Sequence, residues 1–278
     1  MDDMLHALVD ALYIYPVKAC AGLQVVQLDF TSQGMIEGDR EWVVVNADAE
    51  VVWQGSHPRL ALVKPSLSAE FLHLTAPGGL QVDVARQPAG APCRIKIWND
   101  VSKCNQVFDC IDAGDAAAAL LQQATGAQLR LVWLDASVRL RDGVNQIHIV
   151  SSTSLAELNA SLSARGLPAA ELMRFRPNIV ISDRDAALEP FIEENLTQLH
   201  WQDGEQERHM SCTSPCIRCV VPNVNLTTGE LADEPLQTVS ALSAQRHPGQ
   251  PAYFGIYATA PPSACLRQHA ALGLELDF

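Results

Sequence analysis

The sequence predicts a mixed α+β protein that is rich in strand, and three observations carry that expectation. Short β-branched runs crowd the first hundred residues, with Gly, Pro, Asn and Asp between them. Helical periodicity with recognisable end signals appears in only a few later segments. Hydrophobic residues make up 48% and charged residues 18% of the 278, the balance of a chain that buries a sizeable core.

Taken in order, Ala11–Tyr15, Leu23–Leu28, Glu41–Val45, Val51–Trp53, Leu60–Val63, Leu80–Val84 and Cys93–Trp98 read as strands. Their close spacing favours an antiparallel barrel or sandwich. Ala113–Ala124 is strong helix sequence and runs into Gly126, the residue type that ends a helix in the left-handed conformation. A strand, Gln128–Leu134, follows. In Thr153–Leu162 the leucines at 155, 158 and 162 keep helical spacing ahead of Gly166. Strands Asn178–Ser182 and Gln198–Trp201 lead into a cysteine-rich segment. Helix Leu236–Ser243, strand Tyr253–Thr259 and a terminal strand Leu272–Phe278 complete the chain. There is no internal repeat, and a domain boundary is expected within residues 110–130.

Charge narrows the partners. Nineteen Lys and Arg against 32 Asp and Glu leave a formal net charge of −13, which argues against nucleic acid and anionic membrane. Basic residues are scarce, so any cluster of them stands out. Met1–Asp10 has no basic leader region, and runs such as Trp42–Val45 fall far short of the roughly 20 apolar residues a membrane helix needs. A cytoplasmic protein is expected, its eight cysteines being reduced thiols or metal ligands rather than disulfides.

Cys212, Cys216 and Cys219 fall within eight residues, with Arg218 beside the last. A thiolate is a soft donor for a redox metal, and a neighbouring guanidinium favours the anion. Four chemistries compete for this segment. Structural zinc would use His209, Cys212, Cys216 and Cys219, but there is no second Cys-x2-Cys to form the usual pair. The Cys-x3-Cys-x2-Cys spacing matches radical S-adenosylmethionine enzymes, yet only 59 residues follow, too few for their barrel. Buried thiols packing as small hydrophobes suit Cys20, Cys93, Cys104, Cys110 and Cys265 better than a Cys-Ile-Arg-Cys run. The fourth is a molybdenum cofactor held by one protein thiolate.

Six segments in a fixed order bear on that choice: Ile14–Gly22, Gly38–Asn46, Ser151–Asn159, Arg174–Ser182, the cysteine segment and Phe254–Tyr257. Over nearly its whole length the chain resembles the MOSC-domain proteins, in the branch of the mitochondrial amidoxime-reducing component and its bacterial relatives. The resemblance implies an N-terminal β-barrel-like domain over residues 1–125. A cofactor-binding MOSC β-barrel with flanking helices would occupy residues 126–278.

By the same resemblance Cys219 is the molybdenum ligand and catalytic residue, and Cys216 a packing or outer thiol. Lys18, Arg40, Arg176 and Arg218 would grip the pterin and phosphate of molybdopterin, for which a guanidinium fork is well shaped. Asn178 and Tyr257 match further cofactor contacts. Ala19 stands where the family commonly has Ser, leaving a backbone N–H for the contact, and Asn225 replaces a common Asp. The segment Asp142–Gln146 carries no assignment.

The implied activity is reduction of N-hydroxylated compounds such as hydroxylamines, amidoximes and N-hydroxylated bases. The chain lacks the ferredoxin cysteines of fused relatives, so electrons would come from a separate flavoprotein reductase, ferredoxin or cytochrome b5-like protein. The alternative is a non-catalytic carrier of cofactor or sulfur. No dinucleotide-binding, P-loop, zincin or nucleophile-elbow motif redirects this reading.

Overall fold

A strand drawn from the far N-terminus closes a barrel made otherwise from the second half of the chain. In the computed structural model, which describes residues 4–99, 102–141, 147–183 and 188–277, seven strands form this closed ring. Going round, Leu5–Ile14 is followed by Ile179–Asp183, Ile147–Ser151, Tyr253–Thr259, Gln206–Ile217, Leu196–Asp203 and Ala271–Leu276, which returns to the first. All neighbours are antiparallel except Ile147–Ser151 with Ile179–Asp183. That parallel pair needs a crossover, supplied in part by the helix Ser152–Ala164. Alternating side chains such as Val9, Ile149, Ile181, Leu199, Met210, Ile256 and Leu274 fill the barrel.

The remaining N-terminal segments build a second body. A four-stranded antiparallel sheet runs Trp42–Val45, Arg130–Trp133, Cys104–Asp112, Pro92–Asn99. A three-stranded one runs Lys64–Leu67, Phe71–Ala76, Leu80–Ala85. The helix Asp115–Thr125 buries Ala117, Leu120, Leu121 and Ala124 in a core shared with Trp42, Leu72 and Leu131. Gly126 closes that helix at φ 78°, as its sequence signal requires.

The strand-rich α+β class therefore holds, with differences in individual elements. Leu60–Val63 is not a strand: Pro58 starts a 3-10 helix, Pro58–Leu62, because proline fixes φ and suits a first helical turn. Leu23–Leu28 splits into Leu23–Val25, paired to the first barrel strand, and Gln27–Asp29, paired to Cys265–Arg267. Of Val51–Trp53 only Val51 pairs, as an isolated bridge to Val45. The strands Lys64–Leu67, Phe71–Ala76, Cys104–Asp112 and Ile147–Ser151 have no counterpart in the sequence reading. Among the described residues no helix is long and apolar enough to cross a membrane.

Candidate functional site at one end of the barrel

Tyr15 follows directly on the first barrel strand and is fully buried. Its hydroxyl donates to the Pro177 carbonyl at 3.1 Å. The Arg176 guanidinium lies 4.1 Å from the ring centroid and that of Arg40 5.2 Å, within range of cation–π attraction. Gly22 is required beside this ring, since a Cβ there would fall 2.5 Å from its Cε1. The two arginines and Ala19 share a rare backbone state, with φ of 56°, 52° and 72°. Left-handed non-glycine residues are strained and persist where packing enforces them, commonly at functional sites.

Asp39 and Asn178 tie these segments together. Asp39 accepts from the Tyr15 N–H at 2.6 Å and ion-pairs with Arg40. Asn178, wholly buried, donates to the Tyr13 carbonyl at 3.1 Å and accepts from the His148 N–H at 3.3 Å. Its amide thus joins the first barrel strand to the Ile147–Ser151 strand. Arg139 secures the turn before Arg40 by donating to the Ile36 and Asp39 carbonyls at 3.0 and 2.9 Å. His148 lies against Tyr257, ring centroids 5.6 Å apart.

The cysteine segment is the end of the long strand Gln206–Ile217 and the turn after it. Cys216 is buried and accepts from Arg218 Nη1 at 2.9 Å. Arg218 Nη2 donates to the Phe175 carbonyl at 3.1 Å, and its guanidinium sits 5.4 Å from the Phe175 ring, itself stacked on Phe254 at 4.2 Å. Arg218 Nε is buried with no hydrogen-bond partner, an arrangement that native interiors rarely tolerate without a ligand or water. Cys219, the next residue, is exposed.

Electrostatics favours an anion here. Burial, reinforced by the like charge of Arg40, lowers the Arg176 pKa to about 10 against the pull of Tyr15. Among the described residues Arg176 has no carboxylate partner; its Nη1 donates to the Cys20 carbonyl at 2.6 Å. Burial alone would raise the Cys216 thiol, but His148, Arg218 and a Tyr257 hydrogen bond outweigh it and hold the thiol well below its usual range. Burial, then Cys216, pushes the Tyr257 phenol up.

Similarities to known proteins agree with this layout. The MOSC N-terminal beta barrel domain matches residues 6–128, and the MOSC domain matches residues 137–269. Mitochondrial amidoxime reducing component 2 of Rattus norvegicus is 30% identical over 260 residues, covering 84% of this chain and 71% of that protein. The chain belongs to the MOSC-domain family. Mitochondrial amidoxime-reducing component 1 of Homo sapiens is 29% identical, covering 83% of this chain and 70% of its own. A molybdenum cofactor sulfurase of Drosophila willistoni is 32% identical over 262 residues, but this MOSC-domain chain spans only 30% of it.

Arg40, Arg176, Asn178, Arg218 and Tyr257 meet in one connected network with Ala19 on its border, and Cys219 adjoins it through Arg218. Lys18 is half-buried next to Ala19, its N–H bonded to the Trp42 carbonyl at 2.8 Å. Asp142–Gln146 lies outside the described residues. The zinc set does not assemble: among the described residues no group of three His, Cys, Asp or Glu could hold a metal ion. Cys212 pairs along the strand with Ala258, and His209 lies across from His200. Of the five isolated cysteines Cys104 is exposed, at the start of its strand, and so is not a buried packing thiol.

Three participants escaped the sequence reading. Tyr15 and Asp39 lie inside two of the quoted segments but were not singled out. His148 lies on the overlooked strand Ile147–Ser151, where four apolar or small neighbours hide its polarity.

Proposed function

We propose that this MOSC-domain protein binds a molybdenum–molybdopterin cofactor and reduces N-hydroxylated small molecules. The observation that supports it most is the meeting of Arg40, Arg176 and Arg218, one with an unpartnered buried Nε, beside the exposed thiol of Cys219. Three cations in an otherwise acidic chain, with a free soft donor next to them, fit a group that carries both a phosphate and a metal. Cys219 would supply the protein thiolate. Lys18, Arg40, Arg176 and Arg218 would hold pterin and phosphate, the Ala19 backbone would replace a hydroxyl contact, and Asn178 and Tyr257 would shape the wall.

When bound, the cofactor would supply the two-electron chemistry. Reducing R–NHOH to R–NH2 breaks the N–O bond, consumes two electrons and two protons, and releases water. The electrons come from a separate flavoprotein reductase, ferredoxin or cytochrome b5-like protein in the cytoplasm. The chain's part is to orient the cofactor and leave the thiol side open to a small substrate.

A cofactor or sulfur carrier is the second reading, favoured by the exposure of Cys219 and by the sulfurase similarity. Metal analysis of wild type and Cys219→Ala, with benzamidoxime reduction driven by an artificial electron donor, separates the two. An enzyme keeps its metal through purification and turns over; a carrier yields its cargo to an acceptor protein. Cys219→Ala should lose metal and turnover while changing stability by less than about 0.5 kcal/mol, as substitutions at exposed positions do. A variant that kept wild-type metal and rate would overturn the assignment of the ligand.

A further inference from the structure

We propose that Cys93 and Cys110 form a two-thiolate site for a soft monovalent metal ion, cuprous copper, in the four-stranded sheet rather than in the barrel. In sequence they are two of eight scattered cysteines, with no motif around them. The hairpin of Pro92–Asn99 and Cys104–Asp112 sets them directly opposite each other. Opposed residues of an antiparallel pair point to the same face. Here that face packs Val45, Ile95, Ile97 and Val132, with Cys110 inside the cluster and Cys93 at its edge. Both thiols are free.

The register decides which bridge fits them. The Asp112 N–H donates to the Ala91 carbonyl at 3.0 Å, whereas Lys96 turns its N–H and its carbonyl away from the hairpin, to Ala49 and Val51. Hydrogen-bonded and non-bonded pairs alternate along an antiparallel ladder. Ala91 with Asp112 and Cys93 with Cys110 therefore belong to the bonded set, and Lys96 with Val107 to the other. Bonded pairs stand about 5.5 Å apart at Cα, and their Cβ atoms lie at the wide end of about 4.5–5.5 Å. A disulfide wants Cβ atoms about 3.5–4.5 Å apart. Two collinear metal–sulfur bonds of about 2.3 Å span about 4.6 Å, which opposed thiols reach without moving the strands.

The donor set selects the ion. Zinc takes four ligands, and among the described residues no group of three His, Cys, Asp or Glu could hold a metal ion. Thiolates favour cuprous copper, an ion satisfied by two sulfurs in line. Binding is an exchange without electron transfer: one cuprous ion and two thiols give a two-thiolate complex of single negative charge and two protons. Burial, more than any neighbouring charge, raises both thiols, Cys110 to about 12. The resting pair is thus protonated and a poor nucleophile, which slows its oxidation. Asp112 and Arg130 act on Cys93, and Asp135, Asp109 and Arg141 on Cys110; the two guanidiniums offset the charge of the complex. A cleft of about 490 Å³ gives the ion a way in, with Cys93 in its wall beside Ala49, Gln122 and Arg130.

The test uses the full chain, reduced and kept from oxygen, with cuprous ion supplied as its coloured bicinchoninate complex. Wild type and Cys219→Ala should each withdraw one copper per chain, read as loss of the chelator's colour. Cys93→Ser and Cys110→Ser should leave that copper on the chelator, and excess zinc should not displace it from wild type. X-ray absorption at the copper edge should show two sulfur neighbours and no nitrogen. Copper should also raise the melting temperature of wild type and leave that of Cys93→Ser unmoved.

If Cys110→Ser fails to fold, Cys93→Ser, at the edge of the core, decides by itself. Reduced wild type that takes no copper, Cys93→Ser that takes as much as wild type, or copper bound through nitrogen or a third sulfur overturns the proposal. None of these readouts involves molybdenum, so the proposed function is judged separately.

Discussion

Tyr15 does at the scale of one residue what no single charge in the site could do. Its ring face offers a negative quadrupole to two guanidiniums, while its hydroxyl is spent on the Pro177 carbonyl. Tyr15→Phe keeps the ring and loses the hydrogen bond, leaving a buried carbonyl unpaired. A loss of about 1–2 kcal/mol is expected, read from the denaturant midpoint, with metal content retained. Gly255→Ala is predicted to be worse. A left-handed alanine costs about 1–2 kcal/mol before its methyl meets His148, so a loss above about 2 kcal/mol is expected by the same measurement. Neither residue could be weighted from sequence. An aromatic beside a strand end is ordinary, and which cations reach it is decided by three loops that are distant in the chain. The arginines were easier to read, because basic residues are few and those inside recurring segments stand apart from the acidic background.

Elements position these residues, and the helix Ser152–Ala164 shows how. Ser151 caps it through its side chain, which accepts from the Thr153 N–H. The buried carboxylate of Glu193 accepts from the Ser151 N–H at 3.2 Å and from the Ser154 hydroxyl at 2.8 Å. Burial dominates and lifts its pKa to about 7, with Glu194 adding to the rise and these hydrogen bonds opposing it. The folded state thus holds a proton that the unfolded chain, near pKa 4.5, releases. Stability is greatest below about pH 4.5 on this account and falls as pH rises through about 7. The contribution is about 3 kcal/mol at most by linkage. Urea titrations of wild type and Glu193→Gln at acid and mildly alkaline pH test it. The variant should be the more stable at the alkaline end and lose most of the slope; parallel curves would refute the account. The helix itself was legible from its leucine spacing and Gly166, because local periodicity is set by neighbours in sequence. The adjoining strand Ile147–Ser151 was not. It is five residues long and buried throughout, without the alternation that marks a half-exposed strand.

At the scale of the whole molecule, the barrel is not a contiguous stretch of chain. Leu5–Ile14 closes it between Ile179–Asp183 and Ala271–Leu276 and brings Ala7, Val9 and Leu12 into the core, each fully buried. Without it two strands would present open edges, a template for aggregation, and each lost valine- or leucine-sized side chain would forgo about 1.5–3 kcal/mol of burial. The site depends on the same closure, since Tyr15, Lys18 and Ala19 follow directly on that strand while Cys216 and Tyr257 lie on strands of the second half. A chain starting at residue 129 is therefore predicted to aggregate or to unfold without cooperativity. Co-expression with a segment spanning residues 1–29, which adds Gln27–Asp29 as partner to Cys265–Arg267, should recover a cooperative melting transition. A monomeric second half that melts cooperatively by itself would show that the barrel closes without its first strand. It would also leave Arg176 without the Tyr15 ring that brings it together with Arg40.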